Sequence, residues 1–434
     1  MAQATQQRVD HVPPVAASVR MYTLPDVAMK IALGAVAEPM PGGVKLGFEG
    51  DLFVINQKDY EICARAGKRV KAELPAQITA TKFLEACGMC RKYVAEEIFR
   101  PGVKRIIYYP SITQASAFYR CTLPSLHLNW SDRVSAHVTT HRAAREAQWY
   151  DVVVVQLDHS RASHAFIRVL KEMGKKIVFE FDDDFESLEP WHPGYEKYRL
   201  ASTQADLAET FKLADAVTVT TPELASRYRK YHSRIEVIPN FIPIDDWPKA
   251  EPHGQDEFRV LWAGSVSHFG DLGVVSEALW SFLRERDRAK VVFFGRAPQR
   301  IPDDIQSRVD VLPFGDFGVY PMALADIGAD VAIAPLADNE FNLSKSTLKL
   351  LEYGACGYPI IASDVGPYHT AAMESAPNIC TSLCSDGDGW LAALRKYHDE
   401  PDFRRWMADN SLKYARRCSI GANIGQIEQF FASL

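Results

Sequence analysis

The sequence predicts an α/β protein with two Rossmann-like domains and an appended N-terminal module. Short Val/Ile-rich runs alternate with amphipathic segments from about residue 105 onward. A stretch rich in Pro, Asp and Glu at residues 241–257 divides this alternation into two series. Continuous apolar runs are typical of parallel strands buried on both faces, and their alternation with helices indicates βαβ units. The first hundred residues fit neither series.

The first series predicts an N-terminal Rossmann-like domain at residues 105–245. Its strands are expected in "VKRIIYYPS", "YDVVVVQLD", "KKIVFEFDDD", "AVTV" and "RIEVIPN". The second series predicts a C-terminal Rossmann-like domain at residues 246–416. Its strands are expected in "FRVLWAGS", "AKVVFFGR", "RVDVLPFG", "ADVAIAPL" and "YPIIASD". The segments between strands are expected to be helical, because parallel strands need crossovers.

Two flanking segments complete the predicted organisation. Residues 417–434 are expected to form a C-terminal helix, and residues 1–104 form the appended module, whose role stays open. Within the module, "VKLGFEGDLFVINQ" predicts a hairpin and "TATKFLEACGMCRKYVAEEIF" predicts a helix. Cys87 and Cys90 have CxxC spacing, but no second pair gives the spacing of a zinc site.

Composition excludes few function classes. The chain has 434 residues, 24% of them charged, and a net charge of -6, which gives no global electrostatic reason to expect nucleic acid. Its eight scattered cysteines favour reduced thiols in a cytosol. We find no signal-peptide core at the N-terminus and no run near the roughly 18 apolar residues that span a bilayer. We therefore expect a cytoplasmic protein without a transmembrane segment.

The segment "NEFNLSKSTLKLLEYGACGYPIIASDVG" at residues 339–366 carries the strongest functional signal. It follows the strand "ADVAIAPL", and ligands of open α/β sheets bind beyond the carboxyl ends of strands. A helix is expected to begin near Asn342 or Ser344, both good N-cap residues. Its amino end and Lys345 suit a phosphate group, and Ser344 and Ser346 add hydroxyl donors.

Helical periodicity places the Glu352 carboxylate on the same face of the predicted helix as Lys345. At about 100° per residue, Lys345, Lys349, Glu352 and Cys356 share one stripe, while a leucine-rich stripe faces the sheet. Glu352 then lies two turns below the phosphate end, where it can accept hydrogen bonds from a ribose diol. The alternative is a surface helix whose solvated ion pairs contribute a few tenths of a kcal/mol.

The order of these strands and of the segment at residues 339–366 resembles the C-terminal donor domain of GT-B glycosyltransferases. It is most similar to the large retaining family that uses nucleotide sugars, and the resemblance covers roughly residues 105–434. The stretch "ADAVTVTTPELASRYRKYHSRIEVIPNFIP" is similar to the end of that family's N-terminal domain. The resemblance implies two domains that face each other across a cleft. It also implies a nucleoside diphosphate sugar, such as a UDP-sugar, as co-substrate, with no metal or other cofactor and with retention of configuration.

The resemblance also implies roles for individual residues. Glu352 matches the second glutamate of the family's paired-glutamate motif, which holds the nucleotide ribose. Ser344 stands where the first glutamate, which contacts the transferred sugar, is expected, so the sequence departs from the pattern and leaves the anomeric outcome open. The glycine turn near the phosphates matches Gly264 and Ser265.

Cations for the diphosphate are sparse beyond that turn, where the family often carries an Arg and a Lys. His268 is the candidate there, and Lys345 is expected to neutralise the diphosphate with help from Arg296. The complete expected donor site consists of Gly264, Ser265, His268, Arg296, Asn342, Ser344, Ser346 and Lys349, with Lys345 and Glu352 as catalytic residues.

Three groups at strand ends are candidates for the acceptor side. Asp182, Asp183 and Asp184 follow an apolar strand, where adjacent carboxylates suit a hard cation. Because the two-domain fold manages its leaving diphosphate without metal, we instead interpret them as lining the acceptor cleft or capping a helix. Tyr119 and Arg120 lie after the first strand and are expected to hold acceptor or phosphate, unless their helix merely packs.

Asp158 and His159 end the strand "YDVVVVQLD". At the carboxyl edge of a sheet they can act as a base or orient an acceptor hydroxyl. A structural role is the alternative, because a lone histidine is more often structural.

The expected activity is transfer of a sugar from a nucleoside diphosphate sugar to an acceptor hydroxyl. The acceptor is a polysaccharide, a lipid-linked glycan, a protein or a modified nucleic-acid base, and the N-terminal module is a candidate to recognise a large one. Nucleic acid has no further support in the sequence. The alternatives are a nucleotide-sugar epimerase or a phosphorylase of the same fold, and a catalytically silent glycan- or nucleotide-binding protein.

Overall fold

The computed structural model describes most of the chain after residue 23. Its described residues are 24–40, 43–48, 51–74, 86–96 except 88, 91 and 95, 102–110, 114–129, 131–140, 142, 144–251, 253–254, 257–265, 268–314 and 319–434. They divide into two compact units. One contains the described residues before 103 together with 319–320, and the other contains the remainder.

The first unit is a small α/β module. Its elements are α1 (Leu24–Ala32), β1 (Val36–Met40), β2 (Gly43–Phe48), β3 (Asp51–Asn56) and α2 (Gln57–Glu73). The strands form an antiparallel sheet in the order β1-β2-β3. The β2–β3 pairing confirms the predicted hairpin, whose turn residues Glu49 and Gly50 lie outside the described residues.

The predicted helix around the CxxC pair is partly described. Residues 86–87, 89–90, 92–94 and 96 are helical, and the start of the predicted helix lies outside the described residues. Cys90 is buried, with its Sγ 3.7 Å from the Met29 Sδ. This contact fits a packing role for Cys90 within the module core.

The second unit begins with a six-stranded parallel sheet. Its strands are β4 (Lys104–Tyr109), β5 (Val134–Val138), β6 (Val152–Gln156), β7 (Lys176–Glu180), β8 (Ala216–Val219) and β9 (Ile235–Val237). Their order is β5-β4-β6-β7-β8-β9, so the direction of winding reverses between β4 and β6. The sequence did not predict β5, whose five residues "VSAHV" include two polar side chains.

Helices flank this sheet. They are α3 (Gln114–Ala117), α4 (Leu123–Leu128), α5 (Ala144–Ala147), α6 (Arg161–Glu172), α7 (Tyr195–Tyr198), α8 (Ala201–Leu213) and α9 (Pro222–Tyr228). A π-helical turn at Phe118–Thr122 joins α3 to α4, where the sequence predicted one regular helix. Such turns are frequent at functional sites, and this one carries Tyr119 and Arg120.

A second six-stranded parallel sheet follows. Its strands are β10 (Phe258–Gly264), β11 (Ala289–Gly295), β12 (Val309–Leu312), β13 (Val331–Ala334), β14 (Ile360–Ser363) and β15 (Ser382–Cys384). The order β12-β11-β10-β13-β14-β15 reverses between β10 and β13. Two doubly wound parallel sheets confirm the predicted fold class, and each reversal marks the sheet edge where ligands bind.

The helices of this second half complete the unit. They are α10 (Phe269–Leu272), α11 (Ser276–Glu285), α12 (Tyr320–Asp326), α13 (Glu340–Leu343), α14 (Leu348–Cys356), α15 (Gly366–Glu374), α16 (Gly387–Asp399), α17 (Pro401–Arg417) and α18 (Ile420–Ala432). Short 3₁₀ turns lie at Ile244–Asp246 and Asp303–Arg308. Among the described helices, none has the length and apolar character to cross a bilayer.

The last helix, α18, returns to the N-terminal sheet. Lys104 donates from Nζ to the Ala432 carbonyl at 3.0 Å, and the rings of Tyr108 and Phe431 pack edge to face. The backbone of Ile242 also pairs with the start of α18. The end of the chain therefore stabilises the first half of the unit.

Two glycines determine how α14 packs against α17 and where it ends. A Cβ on Gly354 would lie 2.5 Å from the Ser411 carbonyl oxygen, so glycine is what lets α14 approach α17. Gly357 has φ +80° and ends α14 in the left-handed region that favours glycine. Close packing at Gly354 and a turn at Gly357 are therefore the two reasons for glycine here.

We expect Gly354→Ala to lower the free energy of unfolding by about 2 kcal/mol, because its Cβ clashes with rigid backbone. The matched control is Gly425→Ala in α18, where a Cβ meets nothing within 4 Å. That change should instead stabilise the protein by about 0.5 to 1 kcal/mol through helix propensity. Urea unfolding of both variants measures the difference. Equal effects of the two changes would contradict the packing assignment.

Candidate active site

The carboxyl edges of the two parallel sheets are joined by the chain from α13 to α14. Thr221 donates from its hydroxyl to the Ser344 carbonyl at 2.9 Å, and Asn240 donates from Nδ2 to the Ser346 Oγ at 2.9 Å. Nearby, a Cβ on Gly270 would lie 2.4 Å from the Trp191 ring, so glycine leaves room for this indole. These contacts place the two halves of the unit against each other where both sheets present ligand-binding edges.

The predicted start of the functional helix is wrong. Asn339 accepts a hydrogen bond from the Asn342 backbone and caps the short helix α13. The chain then leaves helical geometry, and α14 begins only at Leu348, with Thr347 at its N-cap position. Ser344 and Lys345 therefore lie in the connection between two helices rather than in the first turn of one.

Lys345 forms an ion pair that joins the two halves of the unit. Its Nζ lies 3.1 and 3.2 Å from the two carboxylate oxygens of Asp183, and it sits 4.3 Å from the centre of the Phe341 ring. The side chains of Lys345 and Asp183 are 16% and 29% exposed. The pair is thus largely shielded from solvent, which rules out the solvated surface pair considered for this lysine.

Glu352 also forms a contact between the two halves. Its carboxylate accepts a hydrogen bond from Tyr119 at 3.1 Å and one from the Lys349 ammonium at 3.3 Å. The alternative of a surface helix with solvated ion pairs is wrong, because α14 is buried on nearly all sides and the Glu352 side chain is only 5% exposed. Burial, and then the charge of Glu352, raise the pKa of the Tyr119 hydroxyl, so Tyr119 is the donor in this contact.

His268 is held by a buried carboxylate that sequence reasoning missed. Its Nδ1 lies 2.8 Å from Asp271 Oδ2. Asp271 Oδ1 accepts hydrogen bonds from the Ala337 backbone at 2.9 Å and from the Asn342 side chain at 2.7 Å. The spacing of three residues between His268 and Asp271 is the signal in the sequence that points to this contact.

The positive charges of the site act on one another. Burial lowers the pKa of His268, Asp271 opposes this change, and Lys345 and Lys349 lower it further. Burial also lowers the pKa of His192, followed by the charge of Lys345. Two lysines and two histidines therefore share one electrostatic environment, and a ligand with several negative charges would relieve their mutual repulsion.

Two buried polar atoms near this connection lack a hydrogen-bond partner among the described residues. They are the Asn342 Oδ1 in α13 and the Ser344 Oγ, in residues that are 0% and 1% exposed. An unpaired buried polar atom costs about 1 to 3 kcal/mol, so in a native protein it calls for an explanation, such as a bound water or ion or a catalytic role. Ser344 directly precedes Lys345 in the chain.

The acidic triad divides into three environments. Asp184 is buried, where it accepts from Tyr228 at 2.9 Å and from Arg227 at 3.3 Å. Asp183 holds Lys345. Asp182 accepts from the Ser116 hydroxyl, and burial followed by the charge of Asp183 raises its pKa to about 7. No metal-binding group of His, Cys, Asp and Glu occurs within the part of the chain described above.

Arg120 has a structural environment. It is buried and forms a bidentate pair with Glu180, at 2.6 and 3.1 Å, and donates to the Ile238 carbonyl at 2.7 Å and to Asn240 Oδ1 at 3.1 Å. This guanidinium ties the π-helical turn to β7 and to the chain after β9. The geometry favours the packing alternative for Arg120, while Tyr119 faces Glu352.

Asp158 and His159 follow a backbone residue in an unusual conformation. Leu157 has φ +54°, a left-handed conformation that leucine rarely adopts and that is concentrated at functional sites. Burial raises the pKa of Asp158, but hydrogen bonds from Ser160 and Arg142 outweigh it and hold the pKa below its usual range. Burial lowers the pKa of His159, whose ring packs against Tyr198.

The remaining expected donor residues line the ends of β10 and β11. A Cβ on Gly295 would lie 2.3 Å from the Gly264 carbonyl oxygen, so the two strand ends approach closely. Ser265 and Arg296 follow these glycines and are exposed. The Arg296 backbone donates to the Gly264 carbonyl at 3.2 Å. Their roles in donor binding stay predictions.

Comparison with known proteins agrees with this architecture. Residues 93–246, which include the N-terminal Rossmann-like half, match the model of Glycosyltransferase Family 4. HepE of Anabaena, solved in complex with UDP and glucose, has a similar fold, with a TM-score of 0.55 and 14% identity over 76% of this chain and 100% of that chain. The protein has the GT-B fold of glycosyltransferases.

Two further solved structures share the GT-B fold. The complex of HepE with UDP-glucose gives a TM-score of 0.53 and 13% identity, over 76% of this chain and 100% of that one. A glycosyltransferase from Rickettsia africae gives 0.50 and 12%, over 77% of this chain and 99% of that one. No curated protein matches the sequence. At these identities the similarity establishes the GT-B fold, whereas the site rests on the geometry above.

We expect Asp182→Asn to stabilise the protein at pH 8 by on the order of 1 kcal/mol and to have a smaller effect at pH 5. The folded chain holds the Asp182 proton more tightly than the unfolded chain, so stability is lost as the pH rises from the ordinary carboxyl pKa of about 4 through the folded pKa of about 7. Urea unfolding at both pH values measures the effect.

Asp158→Asn is the matched control with the opposite sign. The pKa of Asp158 is lowered, so its carboxylate stabilises the fold above its unfolded pKa, and its loss should destabilise the protein at pH 8. A difference between wild type and Asp182→Asn that does not change with pH would contradict the raised pKa of Asp182.

Proposed function

We propose that this protein is a glycosyltransferase that moves a sugar from a nucleoside diphosphate sugar to an acceptor hydroxyl. The observation that carries the proposal is the position of Lys345. It lies at the carboxyl edge of the C-terminal sheet, near the amino end of α14, and its ammonium faces the N-terminal half through Asp183. A diphosphate at this position would meet a full positive charge and the positive end of a nine-residue helix.

The surrounding side chains fit a dianionic ligand. Lys349 and His268 share the electrostatic environment of Lys345, and the buried hydroxyl of Ser344, which has no partner among the described residues, can donate to a phosphate oxygen. Thr347, at the N-cap position, makes no side-chain hydrogen bond to the first turn of α14. In the donor-free chain Asp183 holds the ammonium that a diphosphate would need. When the donor binds, its diphosphate therefore replaces the Asp183 carboxylate as the partner of the Lys345 ammonium.

The same groups serve the chemical step. When the bond between the sugar carbon and the phosphate oxygen breaks, its electron pair moves to the diphosphate, and negative charge develops there. Lys345, Lys349 and the end of α14 are already aimed at this charge, which is stabilisation by preorganised groups. We propose no metal for this role.

The nucleoside is proposed to lie along α14, with its ribose at Glu352. The carboxylate of Glu352 accepts from Tyr119 and Lys349. A ribose diol would replace Tyr119 as a donor to this carboxylate. HepE of Anabaena binds UDP-glucose on the same fold, which supports a UDP-sugar as the first donor to try.

The acceptor is proposed to enter at the carboxyl edge of the N-terminal sheet. Asp182 and Asp183 follow β7 there, and Asp158 and His159 follow β6. Release of Lys345 by the donor would leave the Asp183 carboxylate available to an acceptor hydroxyl. The acceptor is then a glycan or another molecule with free hydroxyls.

We expect Lys345→Ala to weaken UDP binding about 10- to 100-fold and to abolish transfer, because a charge-assisted hydrogen bond contributes about 1.5 to 3 kcal/mol. Asp183→Asn should strengthen UDP binding, because it removes the anion that competes for the ammonium. Isothermal titration with UDP measures both changes.

Lys413→Ala, on the exposed face of α17, is the control for loss of a positive charge and should leave UDP affinity unchanged. If Lys345 and Asp183 are only a structural pair, both variants will lose stability without opposite effects on affinity. That result would contradict the replacement of Asp183 by the diphosphate. A blank thermal-shift screen of wild type with nucleoside diphosphates and their sugars would contradict the function itself.

We expect Glu352→Gln to remove the preference for UDP over 2′-deoxy-UDP. A carboxylate that accepts from the ribose diol loses a bond when the 2′-hydroxyl is absent, and its amide counterpart accepts more weakly. Tyr119→Phe is the control, because it removes the internal donor to Glu352 and leaves the carboxylate to the ligand. An unchanged preference in Glu352→Gln would place the ribose elsewhere.

A further inference from the structure

His268 is held in one orientation by a carboxylate that is itself fixed. Asp271 is 1% exposed, and its oxygens accept from His268 at 2.8 Å, Asn342 at 2.7 Å and the Ala337 backbone at 2.9 Å. A carboxylate bound by several donors is ionised and only accepts, so the proton on the His268 ring lies on Nδ1. The other ring nitrogen, Nε2, has no hydrogen-bond partner among the residues that the structure describes.

The charges that face this ring keep it neutral in the donor-free chain. Lys345 and Lys349 approach from the connection and from α14, and His192 approaches from the chain after β7. Burial and the two ammonium groups favour the neutral ring, and Asp271 opposes them. Neutral His268 presents Nε2 as an acceptor, which cannot bond to a phosphate oxygen.

A bound diphosphate reverses this balance. Its negative charges neutralise Lys345 and Lys349, so the main charges that disfavour the imidazolium are cancelled. Asp271 already stabilises the ring at Nδ1, as a carboxylate behind a histidine does in many active sites. Uptake of a proton from solvent would then turn Nε2 into a hydrogen-bond donor that can bond to the charged ligand.

We propose that His268 takes up one proton when the donor diphosphate binds and donates a hydrogen bond from Nε2 to it, so that donor binding and protonation are coupled. This inference rests on the donor site proposed above. The imidazolium adds the cation that the turn after β10 otherwise lacks. Its hydrogen bond to the phosphate also becomes stronger when the sugar departs, because the leaving phosphate oxygen then gains the electron pair of the broken bond.

The test is isothermal titration of UDP-glucose from pH 5.5 to 8.5, in buffers that differ in ionisation enthalpy. The diphosphate of UDP-glucose has no terminal phosphate that titrates in this range, so proton uptake reports the protein. For wild type we expect uptake that approaches one proton near neutral pH. We also expect an affinity that falls about tenfold between the pH values where free and bound His268 titrate.

Two variants distinguish the effect of His268 protonation from the effect of the shape of its side chain. In His268→Asn the amide can keep the hydrogen bond to Asp271 but cannot take up a proton, so affinity should fall at pH 6 and match wild type at pH 8.5. In His268→Gln the amide places a permanent donor near the Nε2 position. This variant should restore part of the affinity without any dependence on pH.

His398→Asn is the matched control. His398 also pairs with a carboxylate, Asp399 at 2.6 Å, but its ring packs on Phe258 at the opposite end of β10. Its loss should leave proton uptake unchanged. UDP-glucose binding without proton uptake, or with uptake that survives in His268→Asn, would overturn the inference and leave the donor site intact. Failure of UDP-glucose, ADP-glucose and GDP-glucose to bind at all would overturn both.

Discussion

The ion pair between Lys345 and Asp183 is the interaction on which the rest of the site depends. It joins the connection before α14 to the end of β7, and so it links the ligand-binding edges of two separate sheets. The Coulomb attraction of such a pair is on the order of a few kcal/mol, and loss of hydration offsets much of it. Its net effect on stability is therefore small. Its consequence is that the cation is held in place and its charge is already paired before any ligand arrives.

The contacts of Glu352 follow the same logic, because its carboxylate is satisfied by Tyr119 and Lys349 before any ligand binds. Internal groups thus occupy several positions that a nucleotide and its diphosphate would use, and binding replaces them at little cost in unpaired charge. A protein built in this way stays folded without ligand and still offers a preorganised site. Ligand binding would also affect how the two halves are held together, because the Lys345–Asp183 and Tyr119–Glu352 contacts join them.

Sequence reasoning reached the architecture and the residues of the C-terminal edge, because apolar periodicity and the position of Lys345 and Glu352 after a strand are local features. It did not reach the helix break, because the cap at Asn339 competes with the equally good cap residues that follow it. It also missed the buried pair of Arg120 with Glu180, whose partners are 60 residues apart in sequence. Pairings of this kind depend on the order of strands, which local patterns do not contain.

Ser344 stands where the family that the sequence resembles has a glutamate, and the structure shows the environment of this serine. Its hydroxyl is buried and lacks a partner among the described residues, while the nearest carboxylate on Lys345 comes from the opposite half of the unit. Negative charge beside Lys345 therefore comes from Asp183 and not from residue 344. If the proposed donor site is correct, the electrostatics around the sugar would depend on contact between both halves rather than on α14 alone.

The most direct measurement is a crystal structure of the protein with UDP. The account predicts phosphate oxygens within hydrogen-bond distance of the Lys345 Nζ, the Asp183 carboxylate displaced from that ammonium, and the ribose at Glu352. A nucleotide bound elsewhere, or one bound while the pair between Lys345 and Asp183 stays intact, would contradict it.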